Sequence, residues 1–423
     1  MKIVFINTND AIGGAAIAAK RLRDVLLENG HELQLLVHER NDKNDRYTTE
    51  FNPTFWGKWK AKASFLLERL YFYCFEKSKK QRFSFSPLVC GSPIHTHELV
   101  QRADLVHLHW VNFGLVNPHQ LKQLIHVPQP IVITLHDMWW ITGGCHHSGS
   151  CESYQLICGD CETYLRNPSS IDLSFREFQQ KRNIIQTKKN IAVVACSEWL
   201  AQRARKSSIM EDKRIVVIPN PLDTTIFKPL EQTELRKKYG LPSHKKYVVV
   251  AAAKLEISWK GVQQLIESIQ IVQEKAIIPV EIIVIGQIEA NTVEQFALPV
   301  HQLGLLDSPE KMAEAYNLGD VFVSSSLFEN LPNTIMEALG CGIPCVGFKT
   351  GGIPEMIQHK QTGYLAEFKN TQDLAKGILW TLDRTETENI EIKQAARTFA
   401  LRNYKKEVVA QKIEHLYRQL LLA

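Results

Sequence analysis

Short apolar runs alternate with longer segments of helical periodicity along almost the whole chain, and this alternation is the strongest constraint on its fold. Lys2–Ile6 reads as a buried strand, and Gly13 and Gly14 follow it as a turn. The next apolar residues recur at i, i+4, i+7 and i+8, as on one face of a helix: Ala18, Leu22, Val25 and Leu26. Gly30 ends that helix and Leu33–Val37 forms the next strand. This βαβ pattern predicts a parallel sheet with right-handed crossovers.

The same pattern starts again halfway along the chain, which indicates a second domain. The further buried strands are predicted at Leu105–Leu108, Ile131–Leu135, Ile191–Ala195 and Val216–Ile218, and then at Tyr247–Ala253, Glu281–Ile285, Val321–Ser324 and Pro344–Gly347. Near-continuous apolar strands separated by helices are typical of sheets that are covered on both faces. A chain of 423 residues is long enough to bury two separate cores.

The boundary between the two domains is predicted in the segment IPNPLDTTIFKP, whose prolines favour an extended hinge over a helix or a strand. We therefore predict an N-terminal domain over residues 1–218, a hinge over 219–229 and a C-terminal domain over 230–400. The remaining segment, 401–423, contains a helix over about Glu407–Leu421. Packing of that helix against the first domain is a hypothesis.

Composition and charge place the chain among soluble globular proteins. It is 44% hydrophobic and 22% charged, which is far from a disordered or fibrous composition. The net charge of +5 is too small to indicate nucleic acid as a partner, but it suits an anionic substrate or membrane surface. The first apolar stretch is too short for a signal peptide, and no run approaches the ~18 apolar residues of a membrane span. These features predict a cytoplasmic protein.

Two carboxylates stand eight residues apart in the segment SSSLFENLPNTIMEALGCGIPCVGFKTGGIPEMI. Pro332 suits the first position of a helix, which places Glu337 on a short helix and Glu329 in the loop before it. The start of a helix favours a phosphate. A loop carboxylate ahead of it can accept hydrogen bonds from sugar hydroxyls, and one further along can accept them from a ribose. The spacing therefore suits a nucleotide sugar.

This segment resembles the E-x7-E motif of the retaining glycosyltransferases of family 4, which have the GT-B fold. Other segments follow in the family's order: AACSEWLA around Ser197, IPNPLD around Asn220, LGLL near Gly304, AYNLGDVFVSSS around Asp320 and TGGIPEMI around Gly351. The resemblance covers residues 190–400 well and the first 190 more loosely. It implies two Rossmann-like parallel-sheet domains facing across a cleft. The second domain is then expected to bind the donor and the first the acceptor, with domain closure on binding.

The resemblance also implies transfer of a hexose-type sugar from a nucleoside-diphosphate donor without a catalytic metal or other cofactor. Lys254 and Lys260, in AAAKLEISWKG, can neutralise the diphosphate and stabilise the leaving group. The family usually has Arg where Lys254 stands, so the bidentate fork of a guanidinium is lost there. The expected donor-binding residues are Gly13, Gly14, Asn220, Lys254, Lys260, Glu329, Asn330, Leu331 and Glu337.

His136 ends a predicted strand in VITLHDMWW, at the sheet edge that faces the ligand crevice in open α/β folds. A histidine at the matching position of the family lies near the reacting sugar and helps to position donor and acceptor. We therefore predict His136, Glu329 and Lys260 as catalytic residues, whereas a structural role is favoured for His107 and His109. No carboxylate matches a nucleophile, which favours front-face attack through an oxocarbenium-like state, with the departing phosphate accepting the proton.

Four of the nine cysteines cluster in GGCHHSGSCESYQLICGDC, within an insertion over residues 143–162. They are Cys145, Cys151, Cys158 and Cys161. The C-x2-C spacing at the end is common in zinc knuckles, and four thiolates suit a closed structural zinc site. Free thiols and a disulfide are the alternatives. Any zinc bound here is expected to be structural rather than catalytic.

The stretch FWGKWKAKASFLLERLYFYCFEKSKKQRF mixes aromatic and basic residues, including Trp56 and Trp59. Basic amphipathic helices of this kind lie on anionic membranes. The alternative is an ordinary helix with a solvated basic face and an apolar face in the core. The membrane interpretation predicts a peripheral protein at the inner face of the plasma membrane. Its acceptor would be a glycan or a lipid-linked glycan in cell-surface polysaccharide biosynthesis.

Two other functions fit a chain of this organisation. A nucleotide-sugar 2-epimerase of the same fold would use acid and base carboxylates and need no acceptor. A catalytically silent sugar-binding or scaffold protein would keep the fold without turnover. The E-x7-E set argues against the first alternative. The presence of both glutamates, both lysines and His136 argues against the second.

Overall fold

The computed structural model describes residues 1–422 and divides the chain into two units, each built on one parallel sheet. The first unit comprises Met1–Pro219 and the chain from Ala410 onward, and the second comprises Asn220–Val409. The predicted class of two Rossmann-like parallel-sheet domains is confirmed.

The first unit contains a seven-stranded sheet with helices on its crossovers. Its strands are β1 (Lys2–Asn9), β2 (Glu32–Glu39), β3 (Thr48–Glu50), β4 (Leu105–Leu108), β5 (Ile131–Leu135), β6 (Ile191–Ala195) and β7 (Arg214–Val217). Its helices are α1 (Gly14–Glu28), α2 (Phe55–Tyr73), α3 (Glu98–Gln101), α4 (Pro118–Ile125), α5 (Leu173–Ile185) and α6 (Glu198–Lys206). The spatial order is β3-β2-β1-β4-β5-β6-β7, so the strand order reverses at β1. Ligands of open α/β sheets bind outside the carboxyl ends of the strands at such a reversal, here β1 and β4.

The second unit contains a six-stranded sheet. Its strands are β8 (Lys246–Lys254), β9 (Val280–Gln287), β10 (Val300–Gly304), β11 (Val321–Ser324), β12 (Cys345–Phe348) and β13 (Gly363–Ala366). The helices from here on are α7 (Gln232–Lys238), α8 (Val262–Lys275), α9 (Ala290–Val293), α10 (Pro309–Asn317), α11 (Asn333–Gly340), α12 (Ile353–Met356), α13 (Thr371–Leu382), α14 (Glu386–Tyr404) and α15 (Lys406–Leu421). The order β10-β9-β8-β11-β12-β13 reverses at β8, whose neighbours are β9 and β11.

Continuous apolar sequence explains why the central strands lie inside their sheets. β5 and β6 are buried at every position, and their bounds are those predicted. Helices cover the sheets with the apolar faces that the periodicity indicated, as α1 does with buried Leu22, Val25 and Leu26. Each unit therefore has its own core, one around β4–β6 and one around β8, β9 and β11.

The segment predicted as a hinge, 219–229, belongs to the second unit from Asn220 onward. The backbone N–H of Leu222 donates to the carbonyl of Tyr404 over 2.7 Å, and Phe227 is 1% exposed. Prolines do keep the segment out of helix and strand, but hydrogen bonds and burial attach it to α14.

The C-terminal segment differs from the predicted bounds as well. The second unit continues to Val409 rather than ending at residue 400, and the chain from Ala410 groups with the first unit. The hydroxyl oxygen of Tyr417 on α15 lies 2.6 Å from Nδ1 of His107 on β4. A buried hydrogen bond thus holds the last helix against the first sheet.

Candidate active site

In the second unit, the structure brings Lys260 and Glu329 together at the carboxyl ends of β8 and β11. Nζ of Lys260 lies 2.5 Å from Oε1 of Glu329, and both side chains are largely buried, with 25% and 15% exposure. Glu329 occupies the loop between β11 and α11, as predicted. This partly buried ion pair stands at the strand reversal of its sheet.

Two loops are clamped to each other to hold this pair. Lys260 ends a short 3-10 turn, and Gly261 follows with φ 65°. A Cβ at Gly261 would lie 2.1 Å from the carbonyl oxygen of Ser325, so only glycine allows this approach. The hydroxyl of Ser325 in turn donates to the carbonyl of Lys260 over 2.8 Å. The position of Lys260 is therefore fixed by the strand end that leads to Glu329.

The backbone of Glu329 is held from its other side by Gly351. Gly351 has φ 56°, and a Cβ there would lie 1.6 Å from the carbonyl oxygen of Glu329. The N–H of Gly352 donates to that same carbonyl over 3.3 Å. The TGG segment is thus the support on which the Glu329 loop rests.

Substitution of Gly351 by alanine is expected to lower kcat/KM of the predicted sugar transfer about 10²-fold, because the new methyl group must displace the Glu329 loop and small misplacements of reacting groups cost this much. Gly240→Ala is the matched control. Gly240 has φ 68° but open space around the Cβ position, so it introduces the same backbone strain without a clash. Steady-state kinetics on both variants would check this. Equal activities in the two would contradict the assigned role of Gly351.

Glu337 lies on α11 and is 5% exposed. Its Oε2 accepts a hydrogen bond from the hydroxyl of Tyr316 on α10 over 2.8 Å. α11 begins at Asn333, one residue after the predicted start, with Pro332 as its N-cap. Nδ2 of Asn220 donates to Oδ1 of Asn333 over 3.1 Å, which places Asn220 at the start of that helix. The side chain that the spacing assigned to a ribose is thus buried against α10.

Lys254 does not join the pair formed by Lys260 and Glu329. It ends β8, where a register shift follows Ala251 in the pairing with β9. Its Nζ lies 2.6 Å from Oε1 of Glu289, and both side chains are about half exposed. The two lysines therefore form two separate ion pairs rather than one cationic cluster. Sequence spacing places both near the end of β8, but they pair with different carboxylates.

The buried side chains next to Glu329 are Asn330 and Leu331, which are 6% and 8% exposed. The donor contacts predicted for these two residues remain a prediction.

In the first unit, Gly13 and Gly14 form the turn between β1 and α1, as predicted. Gly13 has φ 88° and is the N-cap of α1, which begins at Gly14. Oδ1 of Asn9 accepts from the N–H of Ile12 over 2.6 Å and so closes the turn. A helix start and a glycine turn thus stand at the strand reversal of the first sheet.

Three histidines stack across the ends of β4 and β5. The rings of His107 and His109 are 4.2 Å apart and those of His109 and His136 are 5.4 Å apart. Nδ1 of His109 lies 3.1 Å from Nε2 of His136. Burial lowers the pKa of His136 to about 4 and the pKa values of the other two well below their ordinary value. All three imidazoles are therefore neutral at pH 7.

Asp137 and His146 form a second polar group that sequence reasoning did not assemble. Oδ2 of Asp137 accepts from Nδ1 of His146 over 2.6 Å and from Nε1 of Trp110 over 2.9 Å. Burial by itself would raise the pKa of Asp137, but these bonds and the N–H of Trp139 lower it to about 2. Nε2 of His146 lies 2.9 Å from the hydroxyl of Ser86. The insertion thus contributes a histidine to the end of β5.

Asn112 and His109 carry buried polar atoms without a hydrogen-bond partner among residues 1–422. Asn112 is 3% exposed, and both Oδ1 and Nδ2 of its amide lack one, as does Nε2 of His109. Buried polar groups in native proteins are met by protein, water or ligand. No periodicity or motif in the sequence pointed to Asn112.

The zinc site predicted at the four cysteines of the insertion stays a prediction. Within residues 1–422 no group of three or more His, Cys, Asp or Glu side chains could hold a metal ion. All four thiols are free; Cys151 is exposed, whereas Cys158 is buried and accepts from the N–H of Gly143 over 3.2 Å. Burial raises the pKa of Cys158 to about 12 and of Cys161 to about 11, so both are protonated thiols at pH 7.

Comparison with known families agrees with this arrangement. The family model described as Glycosyltransferase Family 4 matches residues 12–226, and the one described as Glycosyl transferases group 1 matches residues 231–398. Two parallel-sheet units carrying these matches define a glycosyltransferase with the GT-B fold. Because the first match spans half of the chain, the chain belongs to glycosyltransferase family 4, which confirms the predicted family.

The chain is similar over nearly its full length to N-acetyl-alpha-D-glucosaminyl L-malate synthase of Bacillus anthracis, with 23% identity over 418 residues, 97% of this chain and 95% of the relative. It is 26% identical over 258 residues to the putative colanic acid biosynthesis glycosyl transferase WcaC of Escherichia coli K12, 60% of each chain.

Among solved structures, sucrose-phosphate synthase of Thermosynechococcus elongatus matches with a TM-score of 0.69 and 17% identity over 99% of both chains. Anabaena HepE in complex with UDP-glucose matches with a TM-score of 0.65 and 16% identity, over 99% of this chain and 100% of the other. At these identities the structures establish the fold alone.

Proposed function

We propose that this glycosyltransferase moves a hexose-type sugar from a nucleoside-diphosphate donor to a glycan or lipid-linked acceptor, with retention of anomeric configuration. The observation that carries the proposal is the ion pair of Lys260 and Glu329 beside α11, the helix that contains Glu337. A cation, a loop carboxylate and a helix start are the groups that bind a diphosphate and the hydroxyls of its sugar.

In the proposed reaction, Lys260 exchanges part of its contact with Glu329 for the donor diphosphate. Its charge then stabilises the negative charge that develops on the leaving group. Glu329 is left to accept hydrogen bonds from sugar hydroxyls, which orients the anomeric carbon. Because a lysine supplies this charge, we propose that transfer needs no catalytic metal.

His136 is proposed to position the reacting groups rather than to transfer a proton. An imidazole whose pKa is about 4 is neutral at pH 7 and is a poor proton donor there. Its ring is held by His109, which fixes its orientation. The departing phosphate is then the group that accepts the acceptor's proton, and attack and departure share one face of the sugar.

The names of similar proteins support this reaction class and leave the acceptor open. One relative is named for an N-acetylglucosaminyl malate product and another for colanic acid biosynthesis. We propose a role in cell-surface polysaccharide biosynthesis, on the cytoplasmic side of the membrane. UDP-glucose, which is bound in one similar structure, is the first donor to examine.

A panel of sugar nucleotides is expected to contain one that raises the melting temperature of the wild-type protein and not that of Glu329→Ala. A ligand at 100 times its Kd stabilises a folded protein by about 2.7 kcal/mol. Lys311→Ala is the control. Lys311 lies on α10 and forms an exposed ion pair with Asp307, which precedes that helix. Differential scanning fluorimetry would measure the shifts.

Product analysis with that donor separates the three candidate functions. Transfer or slow hydrolysis of the donor, with the anomeric configuration retained and with activity unchanged in EDTA, would support the proposal. Conversion of the donor to its 2-epimer would indicate the epimerase. Binding with none of these reactions would indicate a silent sugar-binding protein, and no shift with any sugar nucleotide would refute the donor site.

A further inference from the structure

Helix α2 carries its apolar side chains on the outside. Seven large apolar residues of this 19-residue helix are between 51% and 76% exposed: Phe55, Trp56, Trp59, Leu66, Leu67, Leu70 and Tyr73. Its buried face is the more polar one and includes Ser64, Glu68 and Arg69. The alternative of an apolar face in the core is therefore wrong for this helix. An apolar surface of this size on a protein marks an interaction site.

The charges around this helix are sorted by sign. Every carboxylate between residues 50 and 83 is buried and paired: Glu50 with Lys58, Glu68 with Arg69 and Glu76 with Arg82. The lysines stay on the surface: Lys58, Lys60, Lys62, Lys77, Lys79 and Lys80. The outer surface of the segment is thus apolar and cationic, with no exposed carboxylate of its own.

We propose that this surface, formed by α2 and the lysines through Lys80, docks on an anionic lipid bilayer. A 19-residue helix is about 28 Å long and can lie flat at the headgroup level. Tryptophans and leucines then enter the interface while lysines contact acidic headgroups, which is the arrangement of interfacial helices. No helix described in residues 1–422 is long and apolar enough to cross a membrane.

The docking helix is tied to the loop after β4. Oε2 of Glu68 accepts from the N–H of Gly114 over 2.5 Å, and the guanidinium of Arg69 lies 4.7 Å from the ring centroid of Phe113. Phe113 contacts Trp110, with ring centroids 4.7 Å apart. Trp110 donates to Asp137, beside His136. Contacts thus run without a break from the lipid-facing helix to the histidine group.

These contacts join the docking surface to the unit that is proposed to bind the acceptor, and to that extent the inference rests on the proposed function. A bilayer bound at α2 would lie next to the unit proposed to hold the acceptor. A lipid-linked acceptor could then enter without leaving the membrane. The surface itself is independent of the identity of donor and acceptor.

Flotation of the full-length protein with vesicles tests the inference without any sugar nucleotide. The protein is expected to float with vesicles of phosphatidylcholine and phosphatidylglycerol and to float less with phosphatidylcholine alone or at high salt. Lys60→Ala with Lys62→Ala is expected to lower affinity about 30-fold, the factor that two lysines contribute at an anionic surface. Trp56→Ser with Trp59→Ser is expected to abolish flotation at low lipid concentration.

Ile277→Ser with Lys275→Glu is the matched control, because it removes an exposed apolar residue and an exposed lysine from the second unit. It should float like the wild type. All variants should keep the donor-induced rise in melting temperature, so loss of docking and loss of donor binding remain distinguishable. Failure to float with anionic vesicles at low salt, or equal flotation of the tryptophan variant and the wild type, would overturn the inference. Concentration-dependent dimerisation lost in the tryptophan variant, without vesicle binding, would assign the surface to a second copy of the chain.

Discussion

Replacing Lys260 by alanine is expected to lower kcat for sugar transfer by about 10²–10³-fold, the usual effect of removing one preorganised group that stabilises transition-state charge. The ammonium lies 2.5 Å from the carboxylate of Glu329 and is only partly exposed, so water replaces it poorly. Initial rates at saturating donor and acceptor would measure the effect. Lys260→Arg should recover part of the rate because it keeps the charge.

Lys254→Ala is the internal comparison for this prediction. Its ion pair with Glu289 is about half exposed and separate from the Lys260 pair. We expect at most about a tenfold loss, because solvent screens exposed charges. A larger loss in Lys254→Ala than in Lys260→Ala would reverse the assignment of the two lysines. A folded but fully active Lys260→Ala protein would remove Lys260 from the mechanism.

Acidification is expected to cost about 3 kcal/mol of the free energy of unfolding through His38 alone. His38 on β2 is 7% exposed, and burial, together with the positive charge of Lys60, lowers its pKa from 6.5 to about 4. Below pH 6.5 the unfolded chain therefore binds a proton at His38 that the folded chain does not bind. The resulting loss of unfolding free energy is absent above pH 6.5 and grows as the pH falls from 6.5 towards 4.

Urea unfolding at several pH values between 7.5 and 4.5 would measure this loss. His38→Gln can still bond the hydroxyl of Ser92, which lies 3.1 Å from Nε2 of His38, and should fall less steeply than the wild type. His244→Gln, at an exposed position, should follow the wild type. Burial raises the pKa of Glu68 to about 7, which acts in the opposite sense. The difference between His38→Gln and the wild type isolates the histidine, and parallel curves would contradict the prediction.

The strands missed in the sequence are edge strands of the two sheets. β3, β10 and β13 lie at sheet edges. β3 is only three residues long, and β10 is exposed enough to tolerate His and Gln. A central strand must be apolar on both faces, and its sequence shows this. A short or polar edge strand shows no clear apolar run, whereas the edge strand β7 does and was predicted.

The candidate site was predictable where its residues lie close together in sequence. Spacing placed Glu329 in a loop and Glu337 on the helix that follows, and both positions are confirmed. Spacing could not show that Lys260 reaches Glu329 whereas Lys254 reaches Glu289. The two partners lie 35 and 69 residues away along the chain, so only the folded sheet brings each pair together.

The sequence by itself determined the two parallel sheets, their helices and the family, because periodicity and motif order are properties of neighbouring residues. Only the tertiary structure joined Asp137 to His146, tied α15 to His107 and turned the apolar side of α2 outward. Each of these depends on which distant surfaces meet and on which polar groups they desolvate. In α2, the buried Glu68–Arg69 pair takes the inner face and leaves tryptophans and leucines outside, which helical periodicity alone cannot distinguish from the reverse orientation.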